Sequence, residues 1–325
     1  MRRREFITHI GGAVATWPLA ARAQAIPVIG FLGAESPSLS AGRLNGFRSG
    51  LKENGFVEGQ NVTIEYRWAE GHNDRLLTLA AELVRRQVNV ITAIDGIPSA
   101  LAAKKATTTI PIVFRMGADP VAFGLVTSLN RPAGNITGVS SLTVEVGPKR
   151  LELLHELVPT ATVVVLLINP TNPNFEMLSQ SHQVAARALG LQLHVVNASV
   201  ERDIDAVFST LSQLRAGGLV IGPDAFFSSI SNRLAALSLR HAVPAIYEYR
   251  DFAASGGLMS YGADVADSSR QAGVYTARIL KGEKPSDLRV QQSTKVELII
   301  NLKTARTLGL NVPLPLIGRA DEVIE

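Results

Sequence analysis

The sequence predicts an α/β protein of two Rossmann-like lobes, each a parallel sheet flanked by helices. Two observations lead to this fold class. From residue 26 onward, short apolar runs alternate with helical segments of about 10 to 15 residues, which is the pattern of βαβ units. The second half of the chain then repeats the pattern of the first, and a duplication of this length indicates two similar structural units.

The first half alternates strands and helices in a regular order. The predicted strands cover residues 26–33, 61–70, 88–95 and 110–114. The predicted helices between them cover residues 40–54, 74–86 and 98–107. The first helix is expected to end before Gly55, because glycine commonly terminates helices. Consecutive parallel strands need a crossover helix of this kind, so the first half predicts a parallel sheet.

The second half repeats these elements and their turn signals. "ATVVVLLINPTNP" and "LQLHVVNA" parallel the first two strands, and "LVIGPD" parallels "VITAID". In each half a strand ends in an aspartate, Asp95 or Asp224, and a helix and an Ile-Pro or Val-Pro pair follow. Open α/β sheets bind ligands at the carboxyl ends of their strands. Two facing lobes would therefore form a binding cleft between these loops.

The first 25 residues have the features of a secretory signal peptide. A basic start precedes an apolar stretch at 7–20, which is too short and too Gly-interrupted to span a membrane. Small residues predict cleavage after Ala23 or Ala25. The Arg-Arg-Glu-Phe-Ile sequence that begins at Arg3 matches the twin-arginine export pattern. We therefore expect the cleaved protein in the periplasm.

Charge and cysteine content exclude several classes of function. The formal net charge is +4, but residues 1–25 hold four arginines and one glutamate, so the rest of the chain has 28 basic and 27 acidic residues. Nucleic-acid binding needs clustered basic surface, and this near-neutral remainder predicts none. The chain has no cysteine, which excludes disulfides, thiolate catalysis and a lipid-modified N-terminal cysteine.

The sequence lacks the fingerprints of common catalytic and cofactor sites. No G-x-G-x-x-G follows a strand, and neither a P-loop nor a G-x-S-x-G elbow occurs. The six histidines are scattered without the spacing of metal ligands, so no cofactor or metal is predicted. Asp95 and Asp224 leave three interpretations open: helix caps, ligand contacts, or a carboxylate pair in a catalytic cleft.

Several long motifs point to a family, among them "EYRWAEG", "ATTTIPIVF", "ADPVAFGLVTSLNRPAGNITGVSSL", "EYRDFAASGGLMSYG" and "ARILKGEKPSDLRVQQSTKVELIINLKTARTLGL". With them the chain resembles the type I periplasmic substrate-binding proteins of ABC transporters, in the branch that includes tryptophan- and tyrosine-binding proteins. The resemblance implies two lobes joined by a multi-strand hinge, with 26–142 plus 263–290 in the first lobe and 143–262 plus 291–325 in the second. It also implies a monomer that closes over a small-molecule solute and docks on a permease in the inner membrane.

Carried over to this sequence, the resemblance implies ligand contacts from loops that follow the strands and from one probable crossover strand. In the first lobe the contacts are Glu35, Ser36, Asp95, Gly96, Ile97 and Asp119. In the second lobe they are Asn169, Asp224, Phe226, Tyr247, Tyr249 and Tyr261. Structural roles are open alternatives for several of them. Asn169 would make a turn before Pro170, Asp119 would start a helix, and Phe226 and Tyr247 would lie in the core.

The chemistry of these loops narrows the class of solute. Their carboxylates, with Glu248 among them, can receive an ammonium group, and Arg115 or Arg250 can receive a carboxylate. The tyrosine and phenylalanine side chains offer aromatic walls. The sequence therefore predicts a small solute with an amine or a carboxylate, such as an aromatic amino acid.

The leading prediction is a solute-binding protein without catalytic activity that works by hinge closure. Three other functions stay open at this point. A sensory protein that signals to a membrane receptor would have the same features, and an α/β enzyme would use Asp95 and Asp224 across the cleft. A sugar-repressor-type regulator would need an N-terminal helix-turn-helix, where this sequence has its predicted signal peptide.

Overall fold

The computed structural model describes residues 26–141 and 146–325. The signal peptide predicted for residues 1–25 lies outside the described residues. Within the described ranges, no helix has the length and apolar character needed to cross a bilayer. The same ranges contain no group of three or more His, Asp or Glu residues that could hold a metal ion.

The described strands form two sheets, and we call the parts built on them the first and the second lobe. The strands are β1 Val28–Gly33, β2 Thr63–Trp68, β3 Val90–Ala93, β4 Ile112–Met116, β5 Ile136–Ser141, β6 Val163–Ile168, β7 Gln192–Asn197, β8 Gly218–Ile221, β9 Ala245–Tyr247, β10 Met259–Ala263, β11 Gln291–Ser293, β12 Val296–Asn301 and β13 Glu322–Ile324. The first sheet has the order β11-β5-β4-β3-β1-β2 and is parallel throughout. The second has the order β13-β12-β10-β9-β8-β6-β7 and is parallel except for the β10–β12 pair. The predicted fold class is confirmed.

Helices flank both sheets. They are α1 Ala41–Glu53, α2 Leu76–Arg85, α3 Ile97–Ala106, α4 Gly147–Leu157, α5 Phe175–Ala188, α6 Asp203–Gln213, α7 Ala225–Ser229, α8 Ser231–Arg240, α9 Arg250–Ala254, α10 Val265–Leu280, α11 Leu302–Thr307 and α12 Leu314–Ile317. The three helices predicted for the first lobe occur within a turn of their expected ends. Although α10 follows β10 of the second lobe, it packs on α1 and on the strands of the first sheet.

The chain passes between the lobes beside neighbouring strands. β5 ends at Ser141, and α4, the next described element, packs on the second sheet. The chain returns between β10 and α10, and it leaves the first lobe again between β11 and β12. β5 neighbours β11 and β10 neighbours β12, so the described strands beside these passages lie next to each other, as expected for a multi-strand hinge. The last passage follows β11, a few residues beyond the expected boundary at residue 290, because β11 pairs with β5.

Glycines allow α1 and α10 to approach each other closely, and we call Gly46, Gly50 and Gly273 the glycine seam. A Cβ atom at Gly50 would lie 2.0 Å from the backbone oxygen of Arg270, and one at Gly273 would lie 2.1 Å from that of Phe47. These distances are far below van der Waals contact, so larger residues would force the helices apart. The seam fixes α10, which arrives from the second lobe, onto the first.

We expect Gly50→Ala to lower the free energy of unfolding by about 1 to 3 kcal/mol, because the added methyl group meets backbone that has no room to shift. Gly42→Ala in the same helix is the matched control. A Cβ atom there meets no atom of the described residues within 4 Å, so better helix propensity should raise stability by about 0.5 to 1 kcal/mol. Urea unfolding measures both variants, and equal effects at the two positions would contradict the prediction.

Candidate functional site

A cavity lies between the two lobes, where the carboxyl ends of their strands face each other, and we call it the cleft cavity. Its outline encloses about 480 Å³ of space between protein atoms, part of which is open to solvent. Loops after β1, β3, β6, β8 and β9, together with β4 and the loop after it, supply its lining: Glu35, Asp95, Gly96, Ile97, Pro98, Arg115, Gly117, Asn172, Asn174, Pro223, Asp224, Ala225, Glu248 and Tyr249. Both aspartate-ended strands thus reach the same cavity.

Arg115 brings a buried positive charge to the first-lobe wall of the cleft cavity. It lies on β4, and only 2% of the residue is exposed. Its Nε donates a hydrogen bond to Ser268 Oγ at 2.9 Å, whereas its Nη2 has no hydrogen-bond partner among the described residues. A buried donor without a partner costs free energy, so this guanidinium group is suited to an anionic group of a bound molecule. Arg250, the other arginine offered by the sequence, is instead bound to Glu322 at 2.8 and 2.5 Å.

Glu248 brings a buried carboxyl group to the second-lobe wall. It follows β9 and is 2% exposed. Within 26–141 and 146–325, neither carboxyl oxygen meets a donor in hydrogen-bonding geometry. Burial raises the pKa of Glu248 to about 7, against the opposing positive charge of Arg150. The group is therefore half-charged near neutral pH, and it would be stabilised as a carboxylate by a cation in the cavity.

Asp95 joins the loop after β3 to the start of α1. Its Oδ2 accepts a hydrogen bond from Ser40 Oγ at 3.0 Å, and its Oδ1 lies 3.5 Å from Arg43 Nη1. Arg43 also donates to the carboxylate of Glu35. Burial raises the pKa of Glu35, although the Arg43 charge opposes the shift. The helix-cap interpretation of Asp95 is wrong, because the N-cap of α3 is Gly96, whose φ of 101° favours glycine.

Asp224, in contrast, does cap the helix that follows it. Its Oδ1 accepts hydrogen bonds from the backbone N–H of Phe226 at 2.8 Å and from Asn169 Nδ2 at 3.0 Å. Its Oδ2 accepts from Asn172 Nδ2 at 2.6 Å. Burial raises the pKa of Asp224, and these three donors oppose the shift. Both aspartates of the supposed catalytic pair are thus engaged in structural hydrogen bonds, an arrangement that does not favour acid–base chemistry.

Two asparagines of the loop after β6, Asn172 and Asn174, line the cleft cavity although the sequence did not single them out. Asn174 is 2% exposed, and its Oδ1 has no partner in the part of the chain that the structure describes. The signal was present in the run Asn-Pro-Thr-Asn-Pro-Asn after a buried strand. Asparagine before or near proline also makes turns, so the sequence alone did not show whether these asparagines form a turn or line a binding site.

The aromatic residues divide between the cavity and the core. Tyr249 lines the cleft cavity. Tyr247 is 1% exposed, and its hydroxyl group lies 2.9 Å from Ser228 Oγ and donates to the backbone oxygen of Asp224 at 3.1 Å. Phe226 is buried in the core of the second lobe. Tyr247 and Phe226 therefore fit the core alternative.

The other expected contacts lie outside the lining of the cleft cavity: Ser36, Asp119, Asn169 and Tyr261. Asp119 is exposed, and its Oδ1 accepts a hydrogen bond from the backbone N–H of Val121 at 2.9 Å. Asn169 Oδ1 accepts from that of Thr171 at 3.0 Å. Asp119 and Asn169 therefore make local turns, and Ser36 is half-buried next to Ser38. Tyr261 lies on β10, beside the hinge.

The two lobes touch directly across the cleft. The Cζ atom of Arg43 on α1 lies 4.9 Å from the ring centroid of Tyr249 in the second lobe, which is cation–π distance. A Cβ atom at Gly71 of the first lobe would lie 3.9 Å from Phe226 Cα of the second. These contacts keep the cleft narrow.

Two sheets joined by a hinge, with buried groups of both charges in the cavity between them, define a two-lobed small-molecule-binding protein of the type I periplasmic class. The chain belongs to the family described as ABC transporter substrate binding protein, whose sequence pattern matches residues 25–324. The family expected from the sequence is therefore confirmed.

Three relatives illustrate the similarity. The chain is 28% identical over 277 residues to the tyrosine-binding protein of Clostridioides difficile, covering 85% of this chain and 79% of that protein. It is 25% identical to an ABC domain in complex with L-Trp from Streptococcus pneumonia, with a TM-score of 0.83. It is also 25% identical to a ligand-free, open substrate-binding protein with adhesive properties from Clostridium difficile, with a TM-score of 0.65. Both structural matches cover 92% of this chain and 99% of the other.

These two structural matches differ in how closely they superpose on this chain. Identity and coverage are equal, yet the overlap is much greater with the L-Trp complex than with the ligand-free, open structure. Together with the Arg43–Tyr249 contact, this difference indicates that the lobes here lie closer to the arrangement of the L-Trp complex.

Proposed function

We propose that this protein captures an aromatic amino acid between its lobes and delivers it, unchanged, to an ABC importer. The observation that carries the proposal is a pair of buried polar groups with unused hydrogen-bonding capacity among the described residues: Arg115 Nη2 on one wall of the cleft cavity and the carboxyl oxygens of Glu248 on the other. An amino acid has a carboxylate that can bind Arg115 and an ammonium group that can bind Glu248. The relatives that bind tyrosine and L-Trp support the choice of an aromatic side chain.

In this proposal the solute binds with its carboxylate at Arg115 Nη2 and its ammonium group at Glu248. Charge-assisted hydrogen bonds of this kind are the strong ones, and they need the low-dielectric surroundings that burial supplies. Asn174 Oδ1, which also has no partner among the described residues, offers a second acceptor to the ammonium group. Ile97 and Tyr249 provide apolar surface for the ring.

Capture then proceeds by rotation of the lobes about the hinge. The moving lobes are residues 26–142 with 263–290 and residues 143–262 with 291–325, except that β11, Gln291–Ser293, moves with the first lobe because it pairs with the first sheet. A solute bridging Arg115 and Glu248 contacts both lobes at once, so it binds the closed arrangement more tightly than the open one and shifts the population toward it.

The setting of this function is proposed from the sequence. The signal peptide at residues 1–25 would export the chain to the periplasm, where it would act as a monomer without a cofactor. The partner would be a permease in the inner membrane, which is consistent with membership of the ABC transporter substrate binding protein family.

Isothermal titration of the cleaved protein with L-tryptophan, L-tyrosine and neutral sugars tests the proposal. We expect saturable binding of at least one aromatic amino acid and compaction on binding in small-angle scattering. An excess of about 100-fold over Kd should stabilise the fold by about 2.7 kcal/mol. Stabilisation by neutral sugars alone would overturn the proposal, and so would chemical conversion of the bound amino acid.

Affinity should depend on pH through Glu248. The ammonium group pairs with the carboxylate form, and below the pKa of about 7 in the free protein a proton must leave on binding. The Kd for L-tryptophan should therefore fall about tenfold per unit as pH rises toward about 7 and level off above it. Titrations at several pH values measure this, and Glu248→Gln should give a flat profile. A wild-type profile that is already flat would contradict the assignment of the ammonium group to Glu248.

A further inference from the structure

A second cavity lies at the hinge, beside the cleft cavity, and we call it the hinge cavity. Its outline encloses about 710 Å³ of space between protein atoms, part of which is open to solvent. Its walls are the start of α1 with Gly42, the segment from Glu248 into α9, the end of β10, the start of α10 and the start of β12. Both lobes therefore contribute to it, as they do to the cleft cavity.

Glu248 and Tyr249 separate the two cavities, since they line both. Tyr249 is held in place from the first lobe by Arg43, whose Cζ lies 4.9 Å from the ring centroid, and from the second by Tyr247, whose ring centroid lies 5.7 Å away. A molecule in the hinge cavity would thus be a second ligand, separated from the cleft solute by Glu248 and Tyr249.

The basic residues of the hinge cavity are already neutralised by carboxylates that do not line it. Arg43 is bound to Glu35 and lies 3.5 Å from Asp95. Arg250 is bound to Glu322 through two hydrogen bonds. Neither guanidinium group therefore leaves a net positive charge in the cavity.

The acidic residues of the hinge cavity are less fully compensated. Asp264 and Glu297 share the ammonium group of Lys295, at 2.7 and 3.5 Å. Asp251 makes no side-chain hydrogen bond or ion pair with any described residue. Asp251, Asp264 and Glu297 thus face the single ammonium group of Lys295, and this excess of negative charge would attract a cation.

The other residues that line the hinge cavity indicate what the uncharged part of such a cation would be. Leu39, Val265 and Ile299 give apolar surface, whereas Ser260 is 1% exposed and its Oγ has no partner among residues 26–141 and 146–325. A buried hydroxyl without a partner is costly unless a ligand or water satisfies it. We propose that the hinge cavity is a second binding site, which takes a small primary amine with an apolar body.

Binding in the hinge cavity is coupled to lobe closure, because rotation about the hinge changes the distance between Gly42 on one side and Ile299 on the other. An amine that fits one arrangement stabilises it. By linkage, the amine and the cleft solute then alter each other's affinity by the same factor.

Titration of the cleaved protein with cyclohexylamine, against neutral cyclohexanol, tests the proposal at about pH 8, where the amine is charged and Glu248 is ionised. Gly42→Leu is the blocking variant, because position 42 lines the cavity and a Cβ atom there has open space around it, with no atom of 26–141 or 146–325 within 4 Å. Gly42→Ala is its matched control. Asp251→Asn tests the charge, and Arg115→Met tests whether the amine has entered the cleft cavity instead.

We expect saturable binding of cyclohexylamine to the wild type, the Gly42→Ala protein and the Arg115→Met protein, and loss of binding in Gly42→Leu. Asp251→Asn should weaken it about fivefold, as expected for one partly screened charge. Three results would each overturn the proposal: no saturable binding to the wild type, equal binding of cyclohexanol, or equal binding by Gly42→Leu. Loss of amine binding in Arg115→Met would overturn it as well, by placing the amine in the cleft. None of these outcomes depends on whether an aromatic amino acid binds the cleft.

Discussion

Arg115→Met should weaken L-tryptophan binding by about 30- to 1000-fold, equivalent to about 2 to 4 kcal/mol. The variant removes the buried guanidinium group and leaves the solute carboxylate in the cleft cavity without its cation. Methionine fills much of the volume of the arginine side chain. Within the protein, the substitution removes the hydrogen bond from Arg115 to Ser268, which is a small loss of stability. The variant should therefore stay folded, which thermal unfolding checks alongside the titration.

Arg250→Met is the matched control for Arg115→Met. Arg250 was the second arginine offered by the sequence for the solute carboxylate, yet it is exposed and paired with Glu322. Its removal should change the Kd for L-tryptophan by less than about threefold, since exposed ion pairs contribute little. Equal losses in the two variants would contradict the assignment, and Arg115→Lys should fall between Arg115→Met and the wild type.

Glu248→Gln should stabilise the empty protein above neutral pH while it weakens solute binding. The pKa of Glu248 is about 7 in the folded chain against an ordinary value of 4.5. Between these values the folded state binds more protons than the unfolded state, so the free energy of unfolding falls as pH rises through this window. Above about pH 7 the wild type has lost about 3 kcal/mol of its free energy of unfolding through this group. The Glu248→Gln variant avoids this loss because glutamine does not ionise.

Denaturant unfolding of the wild type and the Glu248→Gln variant at about pH 5 and pH 8 measures this difference. The variant should gain little at the lower pH and about 3 kcal/mol at the higher. Glu35 and Asp224, whose pKa values burial also raises, are present in both proteins, so their contributions cancel. A variant that is less stable than the wild type at both pH values would show that Glu248 serves the fold and not the solute.

The fold could be predicted from the sequence because its signals are local. Apolar runs, crossover helices and the aspartate-ended strands each occupy a short stretch, and their repetition in the second half indicated two lobes. Asp95 and Asp224 were placed at the cleft by the same reasoning, since parallel strands of a sheet end at one edge, whereas Gly96 and Ile97 were expected there from the resemblance to the family.

The parts that the sequence did not predict depend on contacts between distant segments. Arg43 lies inside a helix, where nothing local distinguishes it from a surface arginine, yet it reaches Asp95 and Tyr249. Asp95 follows the pattern of a helix cap, but Gly96 takes the cap position and Ser40 supplies the partner of the carboxylate. Only the packing of α1 against the loop after β3 decides between these roles.

The glycine seam also bears on the order in which the protein can fold during synthesis. It joins α1 to α10, and the ion pair beside it links Glu53 to Arg270, 217 residues along the chain. Until α10 has left the ribosome, the face of the first sheet that it covers stays open, and β11 is also missing from the edge beside β5. Contacts of such long sequence separation form slowly. The first lobe therefore starts to fold early in synthesis but is completed only after α10 and β11 have been made. A chain interrupted before α10 would expose the apolar face of the first sheet that α10 covers.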